Sequence, residues 1–334
     1  MYKKDQLSTK NTWLITGAAG FIGSHLLEFL LVNRQNVIGI DNFITGHRRN
    51  LESVRLRVGE KAWSNFDFRE GDINDYGLCK SVSCGVDYVL HQAALGSVPR
   101  SLDDPLTTNK INIDGFLNVL HAAKENKVKR FVYAASSSTY GDSQEIPKVE
   151  DNTGLPLSPY AVTKFVNELY AGVYSRNFDL DCVGLRYFNV FGSRQDPNGS
   201  YAAVIPRWIN KLKELEQVDI YGDGSTSRDF CFVENAVQAN ILAATRPLSP
   251  GAHVFNVACG QSTSLMQLFQ IIVDTLSDFQ IHNKTQPKFL NERAGDIKHS
   301  LADISHAKSQ LNYEPVCFIE DGVRLTVKSF IENE

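Results

Sequence analysis

The feature that most constrains this chain is a short apolar run that stops at a cluster of glycines and resumes as a helix. Thr12-Trp13-Leu14-Ile15-Thr16 is rich in β-formers and short enough for a buried strand. It runs into Gly17-Ala18-Ala19-Gly20-Phe21-Ile22-Gly23, and from Phe21 to Val32 apolar residues recur at helical spacing. Glycine suits such a corner because the backbone takes unusual φ angles there and must approach a bound group closely. A helix beginning at the corner offers free N–H groups and the positive end of its dipole, a setting made for a pyrophosphate. A second strand over 36–40 ends in Asp41. A carboxylate at that distance from the turn suits ribose hydroxyls and repels a 2′-phosphate, so the pattern predicts NAD rather than NADP. Asp41 could otherwise be a loop anion or a helix cap. Asp72, in Gly71-Asp72-Ile73, could meet an adenine amino group or equally cap the next helix.

The alternation continues. Strands are predicted over 66–68, 87–91, 130–135 and 181–187, and long helices over 105–126 and 159–174. Strands interleaved with helices in this way predict an α/β fold, a doubly wound parallel sheet covered on both faces. From Asn189 the chain turns irregular, as in Gln195-Asp196-Pro197-Asn198-Gly199 and Tyr221-Gly222-Asp223-Gly224. Two parts are expected: a nucleotide-binding part over 11–188, and a smaller mixed α/β part over 189–334 that walls a substrate cleft. Segments such as 234–244 remain free to pack back on the sheet.

Composition narrows the function classes. With 43% hydrophobic and 22% charged residues, 334 residues can bury a sizeable core. A net charge of −4 gives no reason to expect a nucleic-acid partner. The six cysteines form no CxxC pair and no zinc spacing, so no metal site is expected. The opening MYKKDQLSTK lacks the apolar stretch of an export signal, and no run is long enough to span a bilayer, so a cytoplasmic, non-membrane protein is expected.

Tyr160-Ala161-Val162-Thr163-Lys164 sets a tyrosine and a lysine four apart, on one face of a helix. Ser136-Ser137-Ser138-Thr139-Tyr140-Gly141 follows the fifth strand, whose C-terminal end lines the ligand crevice in a parallel sheet. A phenol has a pKa near 10. A neighbouring ammonium and a bound nicotinamide cation would both favour the phenolate, a general base for a sugar hydroxyl. Tyr160 could alternatively do no more than pack on the lysine stem.

Together with Leu90-His91-Gln92-Ala93-Ala94 and Leu185-Arg186-Tyr187-Phe188-Asn189-Val190-Phe191-Gly192, these segments resemble the extended short-chain dehydrogenase/reductase family, whose fold is Rossmann-like. Within it the chain resembles the UDP-hexose 4-epimerases nearly end to end. Residues 91–100 and 198–208 are especially similar to bacterial enzymes acting on UDP-N-acetylglucosamine or its uronic acid in surface polysaccharide (O-antigen or capsule) synthesis. The resemblance implies Tyr160 as base, Lys164 as its partner and Ser136 as the catalytic serine, with Ser137 and Ser138 near substrate. It implies Gly17, Gly20, Phe21, Ile22 and Gly23 at the pyrophosphate of NAD. Asp41, Asn42 and Gly46 would sit near the adenosine, and Asp72 and Ile73 at adenine. Gln92, Ala93 and Ala94 would line the middle of the cofactor, with Asn112 and Tyr187 at the nicotinamide end. For a UDP-sugar it implies Asn189 on the diphosphate, Ala203, Val204 and Tyr221 around uridine, and Gly96 and Ser97 at the hexose. Arg228 and Arg293, the latter in Arg293-Ala294-Gly295-Asp296, would clamp phosphate, a task that suits guanidinium forks. Either arginine could equally be a surface ion pair. A homodimer built on the 105–126 and 159–174 helices is also implied.

Two departures refine the expectation. Dehydratases of the family carry an Asp-Glu pair where this chain has Ser137 and Ser138, and decarboxylating relatives carry a glutamate there, so plain removal and return of hydride is expected. Ser300 follows Asp296 in a segment where glucose-restricted epimerases have a bulky tyrosine, which leaves room for an N-acetyl group. Ser300 could also be only a small residue in a tight loop. Two rivals stay open: a net NAD-dependent sugar-nucleotide oxidoreductase, and a catalytically silent sugar-nucleotide sensor.

Overall fold

A computed structural model of the chain describes residues 7–198, 201–292 and 298–332. Its centre is a seven-stranded sheet made of β1 (Thr12–Thr16), β2 (Asn36–Asp41), β3 (Phe66–Glu70), β4 (Tyr88–His91), β5 (Arg130–Ser136), β6 (Cys182–Tyr187) and β7 (Ala252–Val257). Every pairing is parallel, in the order β7-β6-β5-β4-β1-β2-β3. The inner strands β1, β4, β5 and β6 are buried along nearly their whole length, as a sheet covered on both sides requires, whereas the edge strand β3 has no buried residue. Trp13, Leu14 and Ile15 of β1 are fully buried. The winding reverses between β1 and β4, and in such sheets the crevice beyond the strand C-termini at that point binds ligands.

The glycine turn delivers the chain into α1 (Phe21–Val32), which is buried along nearly its whole length. A Cβ at Gly23 would collide with the Gly17 carbonyl, and one at Gly17 (φ +71°) would come within 2.9 Å of Ala93 N. The turn is therefore as tight as the glycines allowed. Even His25 and Glu28 of α1 are buried. Glu28 pairs with the buried Arg194 at 2.8 Å, and His25 Nε2 lies 3.0 Å from the Ser193 carbonyl. These contacts fasten the 193–194 loop onto α1.

The stretch expected as one helix over 105–126 is three pieces. Pro105–Asn109 leads into a π-helical turn, Lys110–Gly115, and then α2 (Phe116–Glu125). The wide turn lets Asn112 bond outside its own helix: its Nδ2 donates to Leu95 O at 3.1 Å and to Thr163 Oγ1 at 3.1 Å, and its Oδ1 accepts from Leu95 N at 2.8 Å. Thr163 belongs to α3 (Pro159–Phe178), which begins at a Ser158 cap and ends four residues past the expected 174.

Beyond Asn189 the chain builds a second cluster from helices Val204–Lys213, Leu265–Asp278 and Ile319–Glu332, around Trp208, Ile209, Phe269, Ile272 and Val323. It also returns to the sheet. α4 (Val233–Thr245) packs on β5, β6 and α1, and β7 pairs with β6 along its whole length. The sheet thus draws its last strand from beyond residue 188. Among the described residues no helix is long and apolar enough to cross a membrane. None of the six cysteines is bonded to another, and all but Cys84 are buried.

Candidate active site

At the C-terminal ends of the strands lies a cleft of about 580 Å³. One end is walled by the glycine turn. Gly20 is the N-cap residue of α1 and supplies no side chain to it, and the first turn carries no acidic residue. The first N–H groups of the helix are therefore left for a ligand. Gly17, Gly20, Phe21, Ile22 and Gly23 all line the cleft, as do Asp41, Asn42, Ile73, Gln92, Ala93 and Ala94.

Asp41 is well held. Its Oδ2 accepts from Ala19 N at 2.9 Å and its Oδ1 from Phe43 N at 2.8 Å, which ties the end of β2 to the glycine turn. Burial pushes its carboxyl pKa up, and the two backbone donors pull it part of the way back. Gly46 stands behind it, where a Cβ would approach Asp41 Oδ1 to 2.7 Å, and does not line the cleft. Asp72 also lies off the wall. Its Oδ2 accepts from Asn42 Nδ2 at 2.9 Å and its Oδ1 from Asn74 N at 2.8 Å, so it braces the loop between its cleft-lining neighbours Gly71 and Ile73. The cap of the next helix is Asp75.

The other end carries Ser136, Tyr160 and Lys164, which all line the cleft. Ser136 closes β5 and is buried, and its Oγ accepts from Ser138 Oγ at 2.9 Å. Ser137 and Ser138 form the short turn after it and lie outside the lining. Tyr160 stands in the first turn of α3. Burial raises its phenol pKa, and a hydrogen bond with Ser136 lowers it in part. One turn on, Lys164 Nζ lies 5.9 Å from the Tyr160 ring centroid and donates to Ala134 O at 2.8 Å. Burial brings its pKa down to about 8. Since burial raises the phenol pKa, the protein by itself keeps the phenol protonated. His91 is neutral and structural, its pKa driven down to about 3 by burial and by Lys164.

Tyr187 lines the cleft and belongs to a closed polar ring. Its hydroxyl donates to Gln92 Oε1 at 3.1 Å and accepts from Asn240 Nδ2 at 2.7 Å, while Gln92 Nε2 donates to Asn240 Oδ1 at 3.0 Å. Asn112, expected at the nicotinamide end, does not line the cleft, because its amide is spent on Leu95 and Thr163.

Of the residues expected at a sugar nucleotide, Gly96, Asn189 and Ala203 line the cleft. Ser97 stands just off it with a strained φ of +114°, and its Oγ accepts from Arg100 N at 3.3 Å. Val204 opens the helix after Ala203. Tyr221, Arg228 and Ser300 are not part of the lining. Arg228 Nη1 donates to the carbonyls of Ser227 and Lys298 at 2.9 and 3.2 Å, and Ser300 N donates to Ser227 O at 3.1 Å. Arg293 and Asp296 lie outside the described residues. Six polar residues line the cleft that no motif had marked: Thr45, His47, Arg100, Gln195, Asp196 and Tyr201. Arg100 belongs to the short helix Val98–Asp103 and the others to loops, and tertiary packing brings them together. Among the described residues no group of three or more His, Cys, Asp or Glu is placed to hold a metal ion.

A parallel sheet with a glycine-turn phosphate end and a Ser-Tyr-Lys end defines a nucleotide-dependent α/β enzyme class. The chain belongs to the NAD dependent epimerase/dehydratase family, which it matches over residues 13–258. It is 34% identical to a UDP-glucose 4-epimerase of Mycolicibacterium smegmatis, covering 95% of this chain and 97% of that one. The UDP-N-acetylglucosamine 4-epimerase of Methanobrevibacter ruminantium M1, solved with UDP-N-acetylmuramic acid, is 40% identical with a TM-score of 0.88, over 98% of this chain and 100% of the other. A UDP-glucuronic acid 4-epimerase of Bacillus cereus, solved with UDP-glucuronic acid and NAD, is 31% identical with a TM-score of 0.85, over 97% and 100%.

Proposed function

We propose that this chain is a UDP-sugar 4-epimerase that uses NAD and acts on a UDP-N-acetylhexosamine or the corresponding uronic acid. The observation that carries the reading is that Ser136, Tyr160 and, one helical turn on, Lys164 line one end of the same cleft whose other end is the glycine turn. The cleft fits the cofactor. The uncapped start of α1 suits the pyrophosphate, Asp41 the adenosine ribose, and Ala93, Ala94 and Tyr187 the path to the nicotinamide. Bound there, NAD supplies a reversible acceptor for the C4 hydride and the positive charge of its oxidised ring.

The chain's own residues handle the proton. Tyr160 Oη takes it from the C4 hydroxyl once nearby positive charge has brought the phenol down from its raised pKa. Ser136 Oγ holds the same sugar oxygen as it changes from hydroxyl to carbonyl. Lys164 keeps a cation beside the phenol. The 4-keto sugar turns about its link to the held UDP, and Tyr160 returns the proton while the opposite face is reduced. The net reaction is redox-neutral, so the cofactor works catalytically and stays bound.

Ser137 and Ser138, in place of an acid pair, favour inversion over elimination. Ser300 is the basis for proposing an N-acetyl substituent. The surface-polysaccharide role and the two-part division at residue 188 remain part of this proposal. So does a homodimer, which draws support from exposed Val162, Leu169 and Val173 along one face of α3 and from exposed Leu106. Tyr160→Phe is expected to lower turnover at least 1,000-fold at about wild-type affinity for UDP, on the scale of lost proton transfer. Purified protein assayed with no added cofactor is expected to turn over repeatedly, which separates an epimerase from a net oxidoreductase. Near-normal turnover by Tyr160→Phe would refute the reading.

A further inference from the structure

Two cations that line the cleft, Lys164 and Arg100, form no ion pair among the described residues, and only Arg100 has no part in the reaction proposed above. Arg100 belongs to the short helix Val98–Asp103, which leaves the end of β4 through Gly96 and Ser97, and it lines the cleft. β4 is the sheet neighbour of β5, whose last residue is Ser136. Arg100 thus enters the cleft on the same segment as Gly96, which also lines it, and its backbone N–H donates to Ser97 Oγ at 3.3 Å. Its guanidinium carbon lies 4.9 Å from the centroid of the Tyr201 ring, which also lines the cleft. The Tyr201 hydroxyl donates to Asp103 Oδ2 at 2.7 Å, so the ring is held against the short helix that carries Arg100.

Among the described residues Arg100 forms no ion pair, whereas Arg194 and Arg186 are paired with Glu28 and Glu168. Stacking engages the face of a guanidinium and leaves its in-plane N–H donors for other partners. A donor fork steadied by an aromatic ring in a ligand cleft matches a carboxylate, two N–H groups to two oxygens.

We infer that Arg100 is a specificity-determining residue that receives a carboxylate carried by the sugar of the substrate. The inference rests on the epimerase reading and sharpens it: the cleft discriminates in favour of an N-acetylhexosaminuronic acid over the neutral N-acetylhexosamine.

The test compares kcat/KM for UDP-GlcNAcA and UDP-GlcNAc in the wild type, Arg100→Gln and Arg100→Lys. In Arg100→Gln the acid-to-neutral ratio is expected to fall roughly 30-fold, or about 2 kcal/mol at 1.4 kcal/mol per tenfold, mainly through KM of the acid. Arg100→Lys is expected to restore part of the ratio, because it keeps the charge and loses the fork. An unchanged ratio would overturn the inference. So would an equal loss on both sugars with a matching loss of UDP affinity by calorimetry, which would assign Arg100 to the diphosphate. Wild-type protein that inverts the neutral sugar and rejects the acid would overturn it while leaving the epimerase reading intact. C4 inversion of no UDP-sugar at all would remove that reading and this inference with it.

Discussion

Replacing Lys164 with methionine is expected to strengthen the fold while destroying the activity. The ammonium sits in a buried position, with one hydrogen bond to Ala134 O, and burial brings its pKa from 10.5 to about 8. At 1.36 kcal/mol per pH unit, holding the charged form there costs roughly 3 kcal/mol of stability. Losing the bond to Ala134 O gives back about 1 kcal/mol, so Lys164→Met should be more stable at neutral pH by about 2 kcal/mol. The pH dependence is the sharper test. The folded pKa lies below the unfolded one, so between pH 8 and 10.5 the unfolded chain binds more protons and the native state gains stability as pH rises. The cost is fully present below about pH 8 and vanishes above about 10.5. Urea unfolding of wild type and variant, both stripped of nucleotide, should show a gap that is widest at pH 7 and narrows steadily towards pH 10. A gap independent of pH, or a variant less stable than wild type at pH 7, would refute the account of Lys164 as a buried, strained cation.

Two further outcomes follow from the cleft. Asp41→Ala removes a carboxylate that anchors the glycine turn and lines the cleft; on the proposed role at the adenosine ribose, NAD affinity by calorimetry should fall roughly 10- to 100-fold, the worth of charge-assisted hydrogen bonds. Ser300→Tyr should lower kcat/KM for UDP-GlcNAc relative to UDP-glucose by at least about 10-fold, the scale of a steric exclusion worth more than 1.4 kcal/mol, and an unchanged ratio would remove Ser300 from the specificity argument.

The legible parts of this chain were those governed by local rules. The run 12–16 and the glycines after it dictate strand, turn and helix with little help from the rest of the molecule, and β1 and α1 fall where periodicity put them. The helix over 105–126 shows where periodicity stops being enough. Its apolar spacing is continuous, but the wide turn at Lys110–Gly115 exists because Asn112 bonds to Leu95 and Thr163, partners that spacing cannot reveal. Asp72 was open between a ligand contact and a helix cap; the cap falls to Asp75, and the Asp72 carboxylate braces Asn42 and Asn74, a tertiary role that spacing does not reveal. Arg100 and Tyr201 fall in the two segments whose resemblance to relatives was strongest, but that they meet is set by tertiary packing, which neither segment shows by itself.

The late arrival of β7 has a mechanical consequence. Because Ala252–Val257 finishes the sheet only after the chain has already built the helix Val204–Lys213 of the second cluster, the sheet and that cluster are stitched together and not strung in series. A fragment cut near residue 188 would leave the edge of β6 unpaired and the buried sides of β5 and β6 without α4. For the same reason the chain crosses between the sheet and the second cluster more than once, so parting them would require breaking the β6–β7 pairing or the packing of α4.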